Sequence, residues 1–186
     1  MIGYAFCGSF CTLKRSFAVF REMAESGEEL LPIVSENVWS TDTRFQTAKD
    51  FRESLTAVSG REVVHTIVDA EPLGPRIALD MLIISPCTGN TLSKIANGIV
   101  DTPVAMAVKS TLRNHRPVLL AVSTNDGLGI GARNLGALMA MRGIYFVPFG
   151  QDDPIKKPQS LVAHFDRLVD AARAALNGEQ LQPLLI

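Results

Sequence analysis

Short apolar runs alternate with amphipathic stretches along most of the chain. Runs with the length and composition of β-strands lie at residues 2–7, 30–35, 63–68, 81–86, 103–108, 117–123 and 144–149. Strand-like runs separated by helical segments are typical of βαβ units, in which the strands are parallel. The pattern therefore predicts an α/β fold built on a parallel sheet.

Residues 81–84 and 118–122 are apolar at every position instead of alternating with polar residues. Parallel strands have this pattern when helices cover both faces of the sheet. We therefore expect a doubly wound parallel sheet in a Rossmann-like three-layer sandwich. A chain of 186 residues fits one such domain, spanning residues 1–186.

Three segments have helical periodicity. The first has an apolar stripe over residues 13–24 and ends at Gly27, and the second begins after the hydroxyl-rich residues 40–43 and ends at Gly60. The third takes Ser160 as its N-cap and turns one face of residues 161–172 inward, after a polar surface loop at 150–158. The apolar tail, residues 181–186, packs either on another copy or on its own chain.

Composition and charge exclude several classes of function. A net charge of -1 creates no field that would attract nucleic acid or an anionic membrane surface. The apolar runs are far shorter than the roughly 18 residues that a membrane helix needs, and residues 1–6 lack the features of a secretory signal. We expect a cytoplasmic protein with three reduced cysteines, and neither the cysteines nor the histidines are spaced as a metal site.

Polar loops follow three of the predicted strands, and ligands of doubly wound sheets bind at the carboxyl ends of the strands. The loop after the first strand, residues 7–12, leads into a helix N-terminus, where a phosphate binds well. It lacks the third glycine of the dinucleotide fingerprint, so a mononucleotide fits better than NAD. The alternative is a turn that only caps the helix.

The other two loops repeat this theme. Residues 85–94 combine several hydroxyl and amide side chains before a helix, more than capping alone requires, and residues 123–129 place similar groups beside glycines. Each loop also has a purely structural interpretation. Because all three loops end strands of one sheet, we expect them to share a pocket.

Residues 86–101 resemble the PxxxNTxxKxAxGxxD stretch of the homo-oligomeric flavin-containing cysteine decarboxylase family. Gly8 and Ser9 match that family's first phosphate loop, and Ser35 matches a further position near the flavin phosphate. Segments at 40–45, 69–75, 110–114, 123–126 and 145–152 extend the resemblance, over nearly the whole chain, to a branch of flavoprotein-like components of a two-component sporulation enzyme.

This resemblance implies an FMN-binding protein that is a trimer-based homo-oligomer and works with a second, NAD(P)-binding A subunit. The enzyme makes pyridine-2,6-dicarboxylate from a hydroxylated tetrahydro precursor. The ring loses water and two hydrogens, and a flavin is suited to accept the hydrogens as hydride. The cofactor-binding residues expected from the resemblance and the loops are Gly8, Ser9, Ser35, Ser85, Pro86, Thr88, Gly89, Thr91 and Ser123.

Six further residues have expected roles in catalysis or substrate binding. Asn90 is expected near the flavin ring system, and Asn125 or Asp126 is expected to face the substrate. Because a dicarboxylate requires a cation, the candidates for its recognition are Lys94, Lys109 and Arg113. Each of these three cations has the alternative of being a solvated helix charge.

Two departures from the family pattern affect the expected reaction. Residues 71–80 lack the histidine that the decarboxylases place there, and their Pro-x-Met-Asn substrate clamp is replaced by Ser123-Thr124-Asn125-Asp126. Cysteine decarboxylation is therefore not expected. Two alternatives to the oxidoreductase-type component stay open: a non-catalytic component that stabilises the A subunit with little or no flavin, and an FMN-dependent decarboxylase of another substrate.

Overall fold

The computed structural model describes all residues from 1 to 186, in which strands and helices alternate along most of the chain. The strands are β1 (Ile2–Phe6), β2 (Leu30–Val34), β3 (Met81–Cys87), β4 (Val118–Thr124), β5 (Ile144–Phe146), β6 (Phe149–Asp153) and β7 (Lys157–Ala163). The helices are α1 (Phe10–Glu25), α2 (Glu36–Ser40), α3 (Ala48–Ser59), α4 (Ile67–Ala70), α5 (Gly89–Ala96), α6 (Pro103–Arg113), α7 (Ala132–Met139) and α8 (Leu168–Leu176). A 3-10 turn (Phe165–Arg167) precedes α8.

The seven strands form one sheet with the order β2-β1-β3-β4-β7-β6, and β5 pairs with β4. The first five strands are parallel, whereas β7 runs antiparallel to the end of β4 and to β6. The chain moves from β1 outward to β2 and then crosses back to β3, so the strand order reverses between β1 and β3. The predicted doubly wound sheet is confirmed, and this reversal is where such sheets bind ligands.

Helices cover the sheet in two groups. In one group α1 contacts α3 and α8, and in the other α5 contacts α6 and α7. Every residue of β3 is consequently buried, which explains why its sequence shows no alternation. Aromatic rings join the helices to the sheet: the ring of Phe6 lies 5.5 Å from that of Phe20 on α1 and 5.3 Å from that of Phe51 on α3. None of the helices has the length and apolar character needed to cross a membrane.

Two of the predicted strands are wrong. Residues 103–108 form the first half of α6, where Thr102 accepts a hydrogen bond from the Ala105 amide at 3.1 Å and Pro103 occupies the first helical turn. Residues 63–68 pair with the sheet only through an isolated bridge from Val64, and α4 begins inside this run. In both places a good N-cap outweighs the β-propensity of the apolar residues.

The predicted third helix begins too early, because Ser160 lies inside β7 and not at a helix N-terminus. The loop expected at 150–158 is instead most of β6, a three-residue turn at 154–156 and the start of β7. The second helix begins at Ala48 with Thr47 as its cap, which leaves Phe45 outside the helix and 56% exposed. These errors share one cause, since hydroxyl residues cap helices and also fit strands and turns.

The C-terminal tail packs on its own chain. The Phe149 amide donates to the Leu184 carbonyl at 3.0 Å, and the Ile186 amide donates to the Phe149 carbonyl at 3.2 Å. The tail therefore lies along β6 and covers part of an edge that would otherwise present unpaired backbone groups.

Candidate functional site

A cleft of about 630 Å³ opens at the carboxyl ends of β1, β3 and β4. It lies where the strand order reverses, as expected for this class of sheet. Its walls come from four segments: Gly8, Ser9, Phe10, Cys11, Thr12 and Arg15 around the start of α1; Thr88, Gly89 and Asn90 at the start of α5; Ser123, Thr124, Asn125 and Asp126 after β4; and Asp152, Lys157, Ser160 and Val162 of the hairpin. The three polar strand ends thus share one cleft.

Two helices, α1 and α5, begin at this cleft, one after each strand of the reversal. The backbone amides of Phe10 and Cys11 in α1, and of Gly89 and Asn90 in α5, donate no hydrogen bond within the protein. Amides at a helix N-terminus carry the positive end of the helix dipole. Four such donors around one cleft make it suited to an anionic group.

A cluster of three hydroxyls joins the β1–α1 loop to β4. Ser9 Oγ lies 2.8 Å from Ser123 Oγ, and Thr12 Oγ1 lies 3.0 Å from each of these two oxygens. Ser9 precedes α1 but its side chain does not cap the helix. Its hydroxyl therefore stays on the cleft side, where it serves the shared cluster.

The β3–α5 loop approaches the end of β4 closely because residue 89 has no side chain. A Cβ atom at Gly89 would lie 2.6 Å from Thr124 Oγ1 and 2.8 Å from Asp126 Oδ1. These two side chains are joined, since the Thr124 hydroxyl donates to the Asp126 carboxylate. Ser160 of β7 donates to the Thr124 carbonyl at 3.3 Å, so the hairpin also holds this wall.

The buried thiols beneath the cleft have structural roles. Thr91 Oγ1 donates to Cys7 Sγ at 3.2 Å, and Thr88 Oγ1 donates to Thr91 Oγ1 at 3.2 Å. Burial raises the pKa of the Cys7 thiol to about 11, and burial together with the neighbouring Cys7 raises the pKa of Cys87 well above its usual value. Both thiols are neutral near pH 7 and therefore poor nucleophiles.

Most of the residues predicted to bind cofactor or act in catalysis line the cleft, namely Gly8, Ser9, Thr88, Gly89, Asn90, Ser123, Asn125 and Asp126. Thr91 lies one layer below. Three others lie elsewhere: Ser35 accepts from the Val38 amide at 3.5 Å as the cap of α2, the Pro86 carbonyl accepts from the Cys7 amide, and Ser85 is fully buried.

Ser85 belongs to a buried polar network inside the fold. Its hydroxyl lies 2.9 Å from Ser16 Oγ, and the Tyr4 hydroxyl donates to the Ser16 carbonyl at 3.1 Å. Desolvation raises the pKa of Tyr4 to about 12, so the phenol stays protonated. The network connects β1, β3 and α1 behind the cleft and gives Ser85 a structural role.

None of the three cations predicted to bind substrate lines the cleft. Lys94 donates to Asp101 at 2.6 Å and, with Lys109, borders a separate apolar groove of about 390 Å³ between α5 and α6. Arg113 lies at the end of α6 and outside the cleft. Lys94 lies beyond the first turn of α5, which is the part of that helix that lines the cleft, and no residue of α6 lines it.

The cations that do line the cleft are Arg15 and Lys157, neither of which was predicted from the sequence. Arg15 lies one turn after Thr12 on α1, on the same face of the helix, so the helical spacing could have predicted that it lines the cleft. Lys157 Nζ lies 2.7 Å from Asp152 Oδ2 across the hairpin. Its place in the cleft depends on the β6–β7 hairpin, which the sequence did not reveal.

Comparison with known proteins agrees with this fold. Residues 11–175 match the family model described as Flavoprotein. The chain is 47% identical over 185 residues to the dipicolinate synthase B subunit of Bacillus subtilis (strain 168), covering 100% of this chain and 92% of that protein.

Two solved structures are also similar. The crystal structure of the dipicolinate synthase B subunit from Bacillus halodurans aligns with a TM-score of 0.91 at 42% identity, covering 100% of this chain and 95% of that chain. The FMN-dependent cysteine decarboxylase SpaF aligns with a TM-score of 0.67 at 20% identity, covering 95% of each chain. This second likeness concerns the fold alone.

Proposed function

The chain belongs to the flavoprotein family and, within it, to the family of the dipicolinate synthase B subunit, and from this premise we propose that it binds FMN as the flavin component of such a synthase. With an NAD(P)-binding A subunit, it would convert a hydroxylated tetrahydrodipicolinate to dipicolinate during sporulation. The observation that carries the proposal is the pair of helix N-termini that open onto one cleft at the β1–β3 reversal.

The FMN phosphate fits the donors on this side of the cleft. The free amides of Phe10 and Cys11, with the hydroxyls of Ser9 and Thr12, surround the start of α1. Gly8 adds no side chain there, and a Cβ at that position would lie 3.3 Å from Asn37 Cβ. A doubly charged phosphate gains from helix amides and hydroxyls without needing a buried cation.

The ring system would lie toward the β3 and β4 ends. Asn90 has an amide side chain suited to the polar edge of a flavin, while Phe10 and Val162 supply apolar surface. When bound, FMN supplies an acceptor for the hydride that the ring of the substrate must lose. Asp126, whose carboxylate accepts a hydrogen bond from Thr124, is our candidate to take the accompanying proton, and Asn125 is our candidate to orient the substrate; both line the cleft.

A homo-oligomer would complete the open side of the cleft. Exposed apolar side chains lie on the segments that border it, with Leu128 51%, Ile130 77% and Ile155 90% exposed. Apolar side chains at such exposure favour burial against another copy. We propose a trimer-based assembly, which light scattering of the purified chain tests directly.

The first experiment is a visible absorption spectrum of the purified chain, followed by titration with FMN, with and without the A subunit. We expect flavin bands and about one FMN bound per chain. Ser9→Leu should abolish binding because the larger side chain fills the space beside the free amides. Ser54→Leu, a change at a partly exposed position of α3 outside the cleft, is the matched control and should bind normally. If the unchanged chain neither shifts the FMN spectrum nor quenches its fluorescence under either condition, the flavin proposal fails.

A second candidate is a non-catalytic component that stabilises the A subunit. The observation in its favour is that no histidine lines the cleft and few of the lining residues are apolar. In that case the isolated A subunit, at saturating concentration, would form dipicolinate at the same rate as the pair. A rate that depends on both this chain and added FMN would exclude it.

A further inference from the structure

Arg15 is the one charged side chain of the cleft that has neither a hydrogen-bond partner nor an ion-pair partner within the protein. The other three cleft positions with charge are engaged, because Lys157 pairs with Asp152 and the Asp126 carboxylate accepts from Thr124. Arg15 takes part in none of the ion pairs of the protein. The N–H groups of the guanidinium are therefore available to a ligand.

The guanidinium is held in place by an aromatic ring and not by a carboxylate. Arg15 Cζ lies 4.9 Å from the centroid of the Phe165 ring, and Phe165 is only 3% exposed. An arginine stacked on a ring keeps the N–H groups at its edge free to donate. The buried ring therefore gives the exposed Arg15 side chain a surface to pack against beside the cleft.

The position of Arg15 separates it from the donors assigned to phosphate. It follows Thr12 by one turn of α1, about 4.5 Å along the helix axis, and contacts the segment that follows β7. Ser160 and Val162 of β7 line the same wall. Phosphate donors thus surround the start of α1, whereas Arg15 lies on the β7 wall of the cleft.

We propose that Arg15 recognises a carboxylate of a planar cyclic dicarboxylate bound beside the flavin. This inference deepens the proposed function and rests on it for the identity of the ligand. The fork of a guanidinium matches the two oxygens of a carboxylate, and a single free cation suits a ligand whose second carboxylate meets neutral donors such as Ser160 or Asn125.

The test compares Arg15→Gln, Arg15→Lys and the control Lys14→Gln in the full-length protein. Lys14 is the adjacent exposed cation on α1 and does not line the cleft, so it controls for the loss of one charge. Three probes are titrated by calorimetry: FMN, riboflavin, and pyridine-2,6-dicarboxylate with and without saturating FMN. The third probe is repeated in the presence of the A subunit.

We expect Arg15→Gln to weaken binding of pyridine-2,6-dicarboxylate about 10- to 100-fold, as for a lost charge-assisted pair. Arg15→Lys should lie between Arg15→Gln and the unchanged protein, because it keeps the charge but loses the fork. Lys14→Gln should leave binding unchanged, and the affinity for FMN should change less than about threefold in all variants.

Two results would overturn the assignment. In the first, Arg15→Gln weakens the binding of FMN about tenfold or more but does not change the binding of riboflavin or of the dicarboxylate. The guanidinium would then bind the flavin phosphate. If the unchanged protein does not bind the dicarboxylate with or without the A subunit, or binds it independently of residue 15, there is no such subsite. Failure of the flavin proposal can be told apart from failure of the Arg15 assignment. If the flavin proposal is wrong, the unchanged protein does not bind FMN, and the dicarboxylate titration without FMN still tests Arg15.

Discussion

Replacing Gly89 with alanine tests the close approach that forms the wall of the cleft. The new Cβ would lie 2.6 Å from Thr124 Oγ1 and 2.8 Å from Asp126 Oδ1, well inside normal contact distance. Both obstructing atoms belong to side chains, so the fold can relax by breaking the Thr124–Asp126 hydrogen bond. The substitution should therefore displace the carboxylate into the cleft without unfolding the protein.

The expected cost follows from two opposing effects. A hydrogen bond to a charged group contributes about 1.5–3 kcal/mol, and the lower end applies to this half-buried pair. Alanine is favoured over glycine in a helix by at most about 1 kcal/mol, and less at the first helical position. We expect Gly89→Ala to destabilise the protein by about 1 kcal/mol, to lower its Tm by roughly 2–4 °C, and to weaken FMN binding at least about tenfold.

Gly136 provides a matched control on α7. A Cβ there would meet no atom within 4 Å, so Gly136→Ala should stabilise the protein by about 0.5–1 kcal/mol and raise its Tm, with FMN binding unchanged. Thermal unfolding and fluorescence titration measure both effects. If both substitutions raise the Tm and neither alters FMN affinity, the reasoning about this wall is refuted.

Four further outcomes are expected. Thr12→Val removes the hydroxyl shared by the cluster and should reduce the free energy of unfolding by about 1–2 kcal/mol in urea while weakening FMN binding. A disulfide reagent at about pH 8 should modify exposed Cys11 rapidly, and buried Cys7 and Cys87 only after unfolding. Bound FMN should slow the reaction of Cys11, and three thiols that react equally fast would contradict this burial. Burial raises the pKa of Cys7 to about 11 in the folded protein, above the 9.0 of a free thiol. Its contribution to stability is therefore complete below about pH 9 and is lost as the pH rises toward 11, which urea titrations across this range would detect. Lys94→Ala should cost under about 1 kcal/mol and leave binding of FMN and dicarboxylate unchanged, since its ion pair with an aspartate lies outside the cleft.

Much of the fold could be predicted because the core strands carry an unambiguous signal. The buried runs of β3 and β4 have no polar alternation, which only a sheet covered on both faces explains. The errors fell where one residue type serves two local structures. Ser160 is a hydroxyl inside a strand, and residues 103–108 are apolar with β-branched members yet begin a helix, because Thr102 and Pro103 set its N-terminus.

The loops of the site were also predictable, since parallel strands bring their carboxyl ends to one edge. Ser9 and Ser123 are 114 positions apart in the chain, yet their hydroxyls lie 2.8 Å from each other. What sequence reasoning could not supply was the direction of long side chains. Lys94 follows a cleft-lining segment but its side chain pairs with Asp101, whereas Arg15 lines the cleft and packs on Phe165, from the far end of the chain.

Helix α1 connects the two halves of the proposed site. Its first turn provides the free amides and the hydroxyl of Thr12, and its second turn carries Arg15, so one rigid element bears the donors proposed for phosphate and for carboxylate. Its packing on the 3-10 turn through Phe165 fixes Arg15 relative to that phosphate end. The spacing between flavin and dicarboxylate would then be set by the geometry of a single helix, which is the condition that direct hydride transfer between two bound rings requires.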